Sequence, residues 1–288
     1  MTELRLSAPA GSERAAARRS GRPSFGLLGL RAVALGYLIA FILVPLIVVQ
    51  VQGLRFGLAE FWSSITRPEA ISAVTLSVYT SAVMALINTV IGVLTAFVLV
   101  RYRFPGKGIL NTLIDLPFAI PTLVTGVMLV LLYGPQTAIG SFLNNQLGIR
   151  VLFAVPGIIL ALLVVGYPFV IRTVQPVLLQ LDASQTEAAF TIGAGAWTTF
   201  RRVIFPAIRP AVITGAMLSF ARSLGEFGSV IVVAGNIPFR SQTGTVYVYT
   251  QVEAGDLQAA SSVSMVLLII AFIVTLSVDW LMRRSTHA

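Results

Sequence analysis

The 288-residue sequence contains no cysteine and a single histidine, and charged residues make up only 11% of it. Without cysteine there is neither a disulfide framework nor a thiolate metal site. The one histidine, His287, is the penultimate residue, close to Arg283 and Arg284, a place suited to a solvated tail and not to catalysis or metal binding. No paired carboxylates and no Ser/His/Asp set can be assembled, so an enzymatic role is not expected. A phosphate-cradling loop is also missing: PGKGIL at 105–110 lacks the earlier glycine and the final Ser or Thr of a P-loop. No cofactor or metal is expected in this chain.

Apolar residues, by contrast, make up 56% of the sequence and fall in runs long enough to cross a bilayer. Six spans are predicted at roughly 32–52, 72–100, 109–133, 151–172, 208–234 and 260–281, each at least the ~20 residues that the hydrocarbon core requires, the second long enough to tilt or extend beyond it. None alternates as a membrane barrel strand would, so the predicted fold is an all-α, polytopic helix bundle. Residues 1–30 form a basic tail too polar to bury a core, leaving 31–284 as the transmembrane domain. A signal peptide is disfavoured because the run from Arg31 to Gln50 is long and no clear cleavage site follows.

The net charge of +9 need not mean nucleic acid, since the cations lie between apolar runs and do not interleave with aromatics. The N-terminal arginines, Arg101, Arg103, Lys107, Arg172, Arg201, Arg202, Arg209, Arg283 and Arg284 fall on one side. Arg55, Arg67, Arg150 and Arg240 fall on the other. The positive-inside rule then predicts both termini in the cytoplasm.

The longest cytoplasmic connection, about 182–206, is predicted as a short helix–turn–helix. Asp182 or Ser184 caps it and Glu187 lies in its first turn; Gly193 and Gly195 bend the chain, and Pro206 and Pro210 lead into span five. Small residues at 188, 189, 193 and 194 would admit a partner close to the backbone. The alternative is a helix resting on lipid headgroups, but such a helix concentrates Lys and Arg, and none occurs from Asp182 to Phe200.

Within it, EAAFTIGAGAWTTFRRVIFP resembles the EAA motif of ABC importer permeases. The matching positions are Glu187, Ala188, Ala189, Gly193, Val203 and Pro206, with Phe205 where the family usually has Leu. The resemblance implies a type I ABC importer permease fold and a coupling helix that seats in a pair of ATPase subunits, which bind ATP and Mg. Beyond the loop, RYRFPGK at 101–107, DLPFAIPT at 115–122, PFVIRTVQPVL at 168–178 and RSLGEFGSVIVVAGNIP at 222–238 resemble sulfate/thiosulfate permeases of the CysT (CysU) type. Ser-Leu-Gly-Glu-Phe-Gly is shared with molybdate permeases. The resemblance implies a bacterial inner-membrane, multi-pass protein working with a second homologous permease and a periplasmic sulfate-binding protein, with sulfate, and thiosulfate, as cargo. A molybdate or tungstate permease is the alternative within the class. From another class, an ion-gradient-driven secondary transporter would carry internal inverted repeats, which are not visible here, and has no use for the EAA pattern.

Arg222 and Glu226 are predicted near the middle of span five on one helical face, with Ser223 beside them. They form either a structural ion pair or part of the anion pathway or gate. Asp115 is expected to complement the dipole at the start of span three, and Arg172 to snorkel from the inner end of span four.

Overall fold

The computed structural model describes the backbone of residues 25–285 and the side chains of 29–277 and 280; every described regular element is helical. Two units are distinguished, residues 1–48 and 49–288. The first holds α1 (Phe25–Leu38), a π-helical turn (Ile39–Leu43) and the start of α2 (Val44–Gly53). Residues 25–30 of the predicted tail are therefore helical, while residues 1–24 and His287 lie outside the described residues, as do the side chains of Arg283 and Arg284.

The second unit continues with α3 (Leu58–Ile65), α4 (Pro68–Arg101), α5 (Lys107–Ala119), α6 (Thr122–Tyr133), α7 (Ala138–Gln146) and α8 (Val155–Gln180). Two short helices follow, α9 (Ala183–Thr191) and α10 (Ala196–Thr199), and a π-helical turn (Phe200–Ile204) runs into α11 (Phe205–Leu224). The chain closes with α12 (Gly228–Ala234), α13 (Gly244–Glu253) and α14 (Leu257–Ser285). Five helical stretches are long and apolar enough to cross a membrane, and α5 with α6 makes a sixth crossing if counted as one bent span.

Two predicted spans are not continuous. The third is bent by 111° between α5 and α6. Ile120 precedes Pro121, whose ring excludes it from the helical region, and it takes up φ −80°, ψ 127°. The fifth, predicted through 234, stops at Leu224 and resumes as α12 after Gly225–Phe227. Hydropathy runs straight through both breaks, so it cannot reveal them. The pieces after the breaks lie against each other: a Cβ on Gly126 of α6 would come 2.8 Å from the Ser229 carbonyl of α12, and one on Gly228 would collide with the Thr122 side chain. Interrupted helices are tolerated at membrane depth where protein groups re-satisfy the freed backbone.

The centre of the second unit is the junction of α4, α8 and α11. In a bilayer, helices gain from close packing and not from escaping water, which favours small residues at the contact. The buried face of α4 includes Ala73, Ser77, Ser81, Ala85, Gly92 and Ala96 at helical spacing. Gly166 of α8 lies so close to Ser219, Met84 and Asn88 that an added Cβ would come within 3 Å of all three side chains. Asn88 donates to the Leu163 carbonyl at 3.2 Å and Ser219 to the Gly166 carbonyl at 3.1 Å, so these two side chains are satisfied across the junction, whereas the buried Ser81 hydroxyl has no hydrogen-bond partner among the described residues.

Candidate functional site

The connection from α8 to α11 begins with Asp182, whose carboxylate accepts the Ser184 N–H at 2.9 Å and caps α9. That hydrogen bond holds the Asp182 carboxyl below its ordinary range. Because α9 starts at Ala183, Glu187 sits in its second turn and not in the first. Gly193 ends the helix in the left-handed region, at φ 82°. Its N–H donates to the Phe190 carbonyl at 2.9 Å, and the Ala194 N–H donates to the Ala189 carbonyl at 3.0 Å. This pair of bonds defines a Schellman motif, which satisfies carbonyls left free at a helix end and favours glycine at the position that Gly193 occupies.

The helix has two faces. Thr186 and Ala189 are buried, whereas Glu187, Ala188, Phe190 and Ile192 are exposed, Ile192 to 85%. The Glu187 carboxylate has no partner among the described residues. On α10, Trp197 is 71% exposed and stacks on Phe200 at 5.8 Å, and Phe200 meets Phe97 of α4 edge-on at 5.7 Å. The aromatic chain thus ties the loop to the C-terminal end of α4 while one face stays bare. Val203 is half-buried in the π-helical turn, and Pro206 follows that turn, where the Phe205 N–H reaches back to the Phe200 carbonyl. An exposed apolar surface with a lone carboxylate at its centre is suited to a protein partner.

A second cluster forms at the break after α11. Arg222 Nη1 lies 2.9 Å from Glu226 Oε2, and the Glu226 side chain is 2% exposed. Glu226 Oε1 accepts both the backbone N–H and the hydroxyl of Ser229, each at 3.0 Å, and so closes the start of α12. The Thr245 hydroxyl donates to the Glu226 carbonyl at 2.8 Å. Arg222 lies in the last turn of α11 and Glu226 in the break that follows it, not in the middle of a continuous span. The Arg222 side chain is 38% exposed and holds no other side-chain partner among the described residues. Ser223 is buried and donates back to the Phe220 carbonyl at 2.8 Å.

The third cluster was not foreseen from sequence. Asp115 lies well inside α5, and its carboxylate accepts from Arg172 Nε at 2.7 Å and from Nη2 at 2.6 Å. Arg172 also donates to the side chain and carbonyl of Asn111 and to Gln175. All five N–H groups of the guanidinium are therefore engaged within the chain. Asp115 is no dipole residue and Arg172 no snorkelling anchor: together they clamp α5 to α8. The available signal was their place in the predicted spans, Asp115 near the start of the third and Arg172 at the end of the fourth, which are ends on the same side. Asp115→Asn is expected to lower the stability of the solubilised protein by about 1–2 kcal/mol, and Asp115→Asn with Arg172→Met by less than the sum of the singles. Thermal unfolding in detergent checks both values.

A family model described as binding-protein-dependent transport system inner membrane component matches residues 88–287. A probable sulfate transport system permease protein cysT from Chlorella vulgaris is 44% identical over 214 residues, covering 74% of this chain and 80% of that protein. The sulfate transport system permease proteins CysT of Synechocystis and Salmonella typhimurium are each 39% identical, over 87% and 84% of this chain and 87% of each relative. Among solved structures, a bacterial alginate ABC transporter in complex with an alginate-bound periplasmic protein has a chain that superposes with a TM-score of 0.76 at 17% identity. The superposition covers 91% of this chain and 95% of that one. A chain of the MetNI methionine ABC transporter, in inward-facing conformations, gives a TM-score of 0.52 at 18% identity, covering 76% and 99%.

The chain belongs to the binding-protein-dependent transport inner membrane components, a family of multi-pass permeases of ABC importers with the type I fold. Within that family it stands with the sulfate transport system permeases CysT.

Proposed function

We propose that this chain is a permease subunit that carries sulfate, and thiosulfate, across the bacterial inner membrane by alternating access. A separate pair of ATPase subunits, which bind ATP and Mg, drives it; a second homologous permease completes the pathway and a periplasmic binding protein delivers the anion. The chain itself needs no cofactor or metal and performs no catalysis. With the coupling loop and both termini cytoplasmic, closure of the ATPase pair moves α9 and, through the Phe97–Phe200–Trp197 contacts, the inner ends of α4 and α11. Movement of packed helices as rigid bodies is an established way to exchange access from one side to the other.

The observation that carries this proposal is the exposed face of α9. A Schellman motif ends that helix at a fixed point, and Glu187, Ala188, Phe190 and Ile192 on its outer side are exposed. The cargo assignment draws on the curated relatives, which are named for sulfate transport. Arg222 is the pathway candidate, because it keeps donors free, whereas Arg172 has none to offer. Glu226 is its fixed counter-charge, which leaves a single moderate cationic contact that can release a dianion again.

Proteoliposomes containing the whole complex are expected to accumulate radiolabelled sulfate only when ATP and the binding protein are both supplied. Accumulation of molybdate but not sulfate would overturn the cargo, and uptake driven by an ion gradient without ATP would overturn the class.

A further inference from the structure

The end of α8 remote from the coupling loop carries a feature that the proposed function does not use. From Gln180 back to Val155 the helix extends about 39 Å at 1.5 Å per residue. There a recess of about 400 Å³ opens between the end of α6, α7, the segment just before α8 and the loop after α12. Tyr133, Asn144, Arg150 and Arg240 bring polar groups to it, and Phe153 and Ile237 supply apolar wall. Neither guanidinium has an ion-pair or side-chain hydrogen-bond partner among the described residues.

The backbone around the recess is strained and pinned. Among the described residues, the only non-glycine positions with positive φ are Phe153 (59°) and Phe239 (60°). The first lines the recess and the second immediately precedes Arg240. Such conformations cost about 1–3 kcal/mol each and persist only where the surroundings impose them. Here they do: the Phe153 N–H donates to the Val233 carbonyl at 2.9 Å, and its ring covers Gly235, where a Cβ would lie 2.8 Å from the ring. The loop carrying Arg240 is tied down by Ser241 Oγ donating to the Ala234 carbonyl at 2.7 Å and by Gln242 Nε2 donating to Asn236 Oδ1 at 2.6 Å. Two unpaired cations are thus presented from a preorganised frame.

We propose that this recess is a weak receiving site for a tetrahedral oxyanion on its way into the permease. That assignment rests on the proposed orientation, with this end facing the side from which the anion arrives. At about 30 Å³ per water, the volume suits a dianion that keeps much of its first hydration shell. Arg150 and Arg240 attract the charge without stripping the shell, and weak binding is what a conducting route requires. The apolar walls lower the local dielectric and strengthen the field of the two cations.

The test uses the purified complex in lipid nanodiscs without the binding protein, treated with phenylglyoxal and read residue by residue by mass spectrometry. Millimolar sulfate, and equally molybdate, is expected to slow modification of Arg150 and Arg240 several-fold relative to chloride of matched ionic strength, leaving Arg55 unaffected. Equal rates in sulfate and chloride would overturn the site. Arg150→Gln with Arg240→Gln is expected to reduce uptake at subsaturating sulfate about tenfold, while retention of the complex on immobilised binding protein stays unchanged. Retention lost in step with uptake would make the recess a seat for protein carboxylates and end the proposal. Should the unaltered complex take up no sulfate, the cargo assignment fails while the protection result still decides the site.

Discussion

Glu226→Leu is expected to destabilise the permease by about 2–4 kcal/mol and to abolish most transport. Removing one partner of a buried, hydrogen-bonded pair costs about 3–5 kcal/mol, and the lower end applies because the Arg222 side chain is 38% exposed. The loss has two parts. Arg222 is left without its counter-charge, and the N–H and hydroxyl of Ser229 lose their acceptor at the start of α12. The double variant Arg222→Leu with Glu226→Leu removes the first part only, and is expected to remain about 1–2 kcal/mol less stable than the parent. Exchanging the two charges is a poor test of a simple ion pair, since an arginine at 226 cannot accept from Ser229. Thermal unfolding of the complex in detergent separates these cases, and a Glu226→Leu protein as stable as the parent would contradict the capping role.

Gly193→Val should cut ATP-driven uptake by roughly tenfold and reduce co-purification with the ATPase, while membrane insertion stays intact. A left-handed conformation costs an L-residue about 1–2 kcal/mol, and a β-branched side chain more, so α9 can no longer end in its Schellman motif. The outward face of Glu187, Phe190 and Ile192 then loses its fixed orientation. No atom lies near enough to Gly193 to clash with an added Cβ, so the effect is one of backbone conformation and not of crowding. Gly193→Asn is expected to retain most activity, because asparagine tolerates this region. Equal losses in the Val and Asn variants would contradict the conformational explanation.

Much of the fold was legible because bilayer thickness forces long apolar runs, and no sequence feature is read more directly. The bounds of α9 were legible for a local reason: Asp182 and Gly193 each have one favoured place at a helix end. What stayed hidden depended on contacts distant in sequence. The breaks after Ala119 and Leu224 fall inside runs that hydropathy treats as uniform. The Asp115–Arg172 clamp joins residues 57 positions apart, so neither partner's neighbours in sequence point to the other. Ser229 completes the Glu226 site from the next helix, and its importance follows only once α12 is seen to begin there. The turn in which Glu187 falls depends on which of Asp182 and Ser184 caps α9, and the cap is Asp182.

The sequence offers a direct route to the central claim, that α9 and α10 meet an ATPase. The chain has no cysteine, so Ile192→Cys or Trp197→Cys supplies the only thiol in this chain. A photoreactive maleimide attached there, in membranes containing the full complex, is expected to cross-link to the ATPase subunit, whereas the same probe at Ile149→Cys, beyond the opposite end of α8, is not. Adducts from positions 192 and 197 that contain lipid alone, with no ATPase, would contradict the account and make the loop a membrane-surface helix instead.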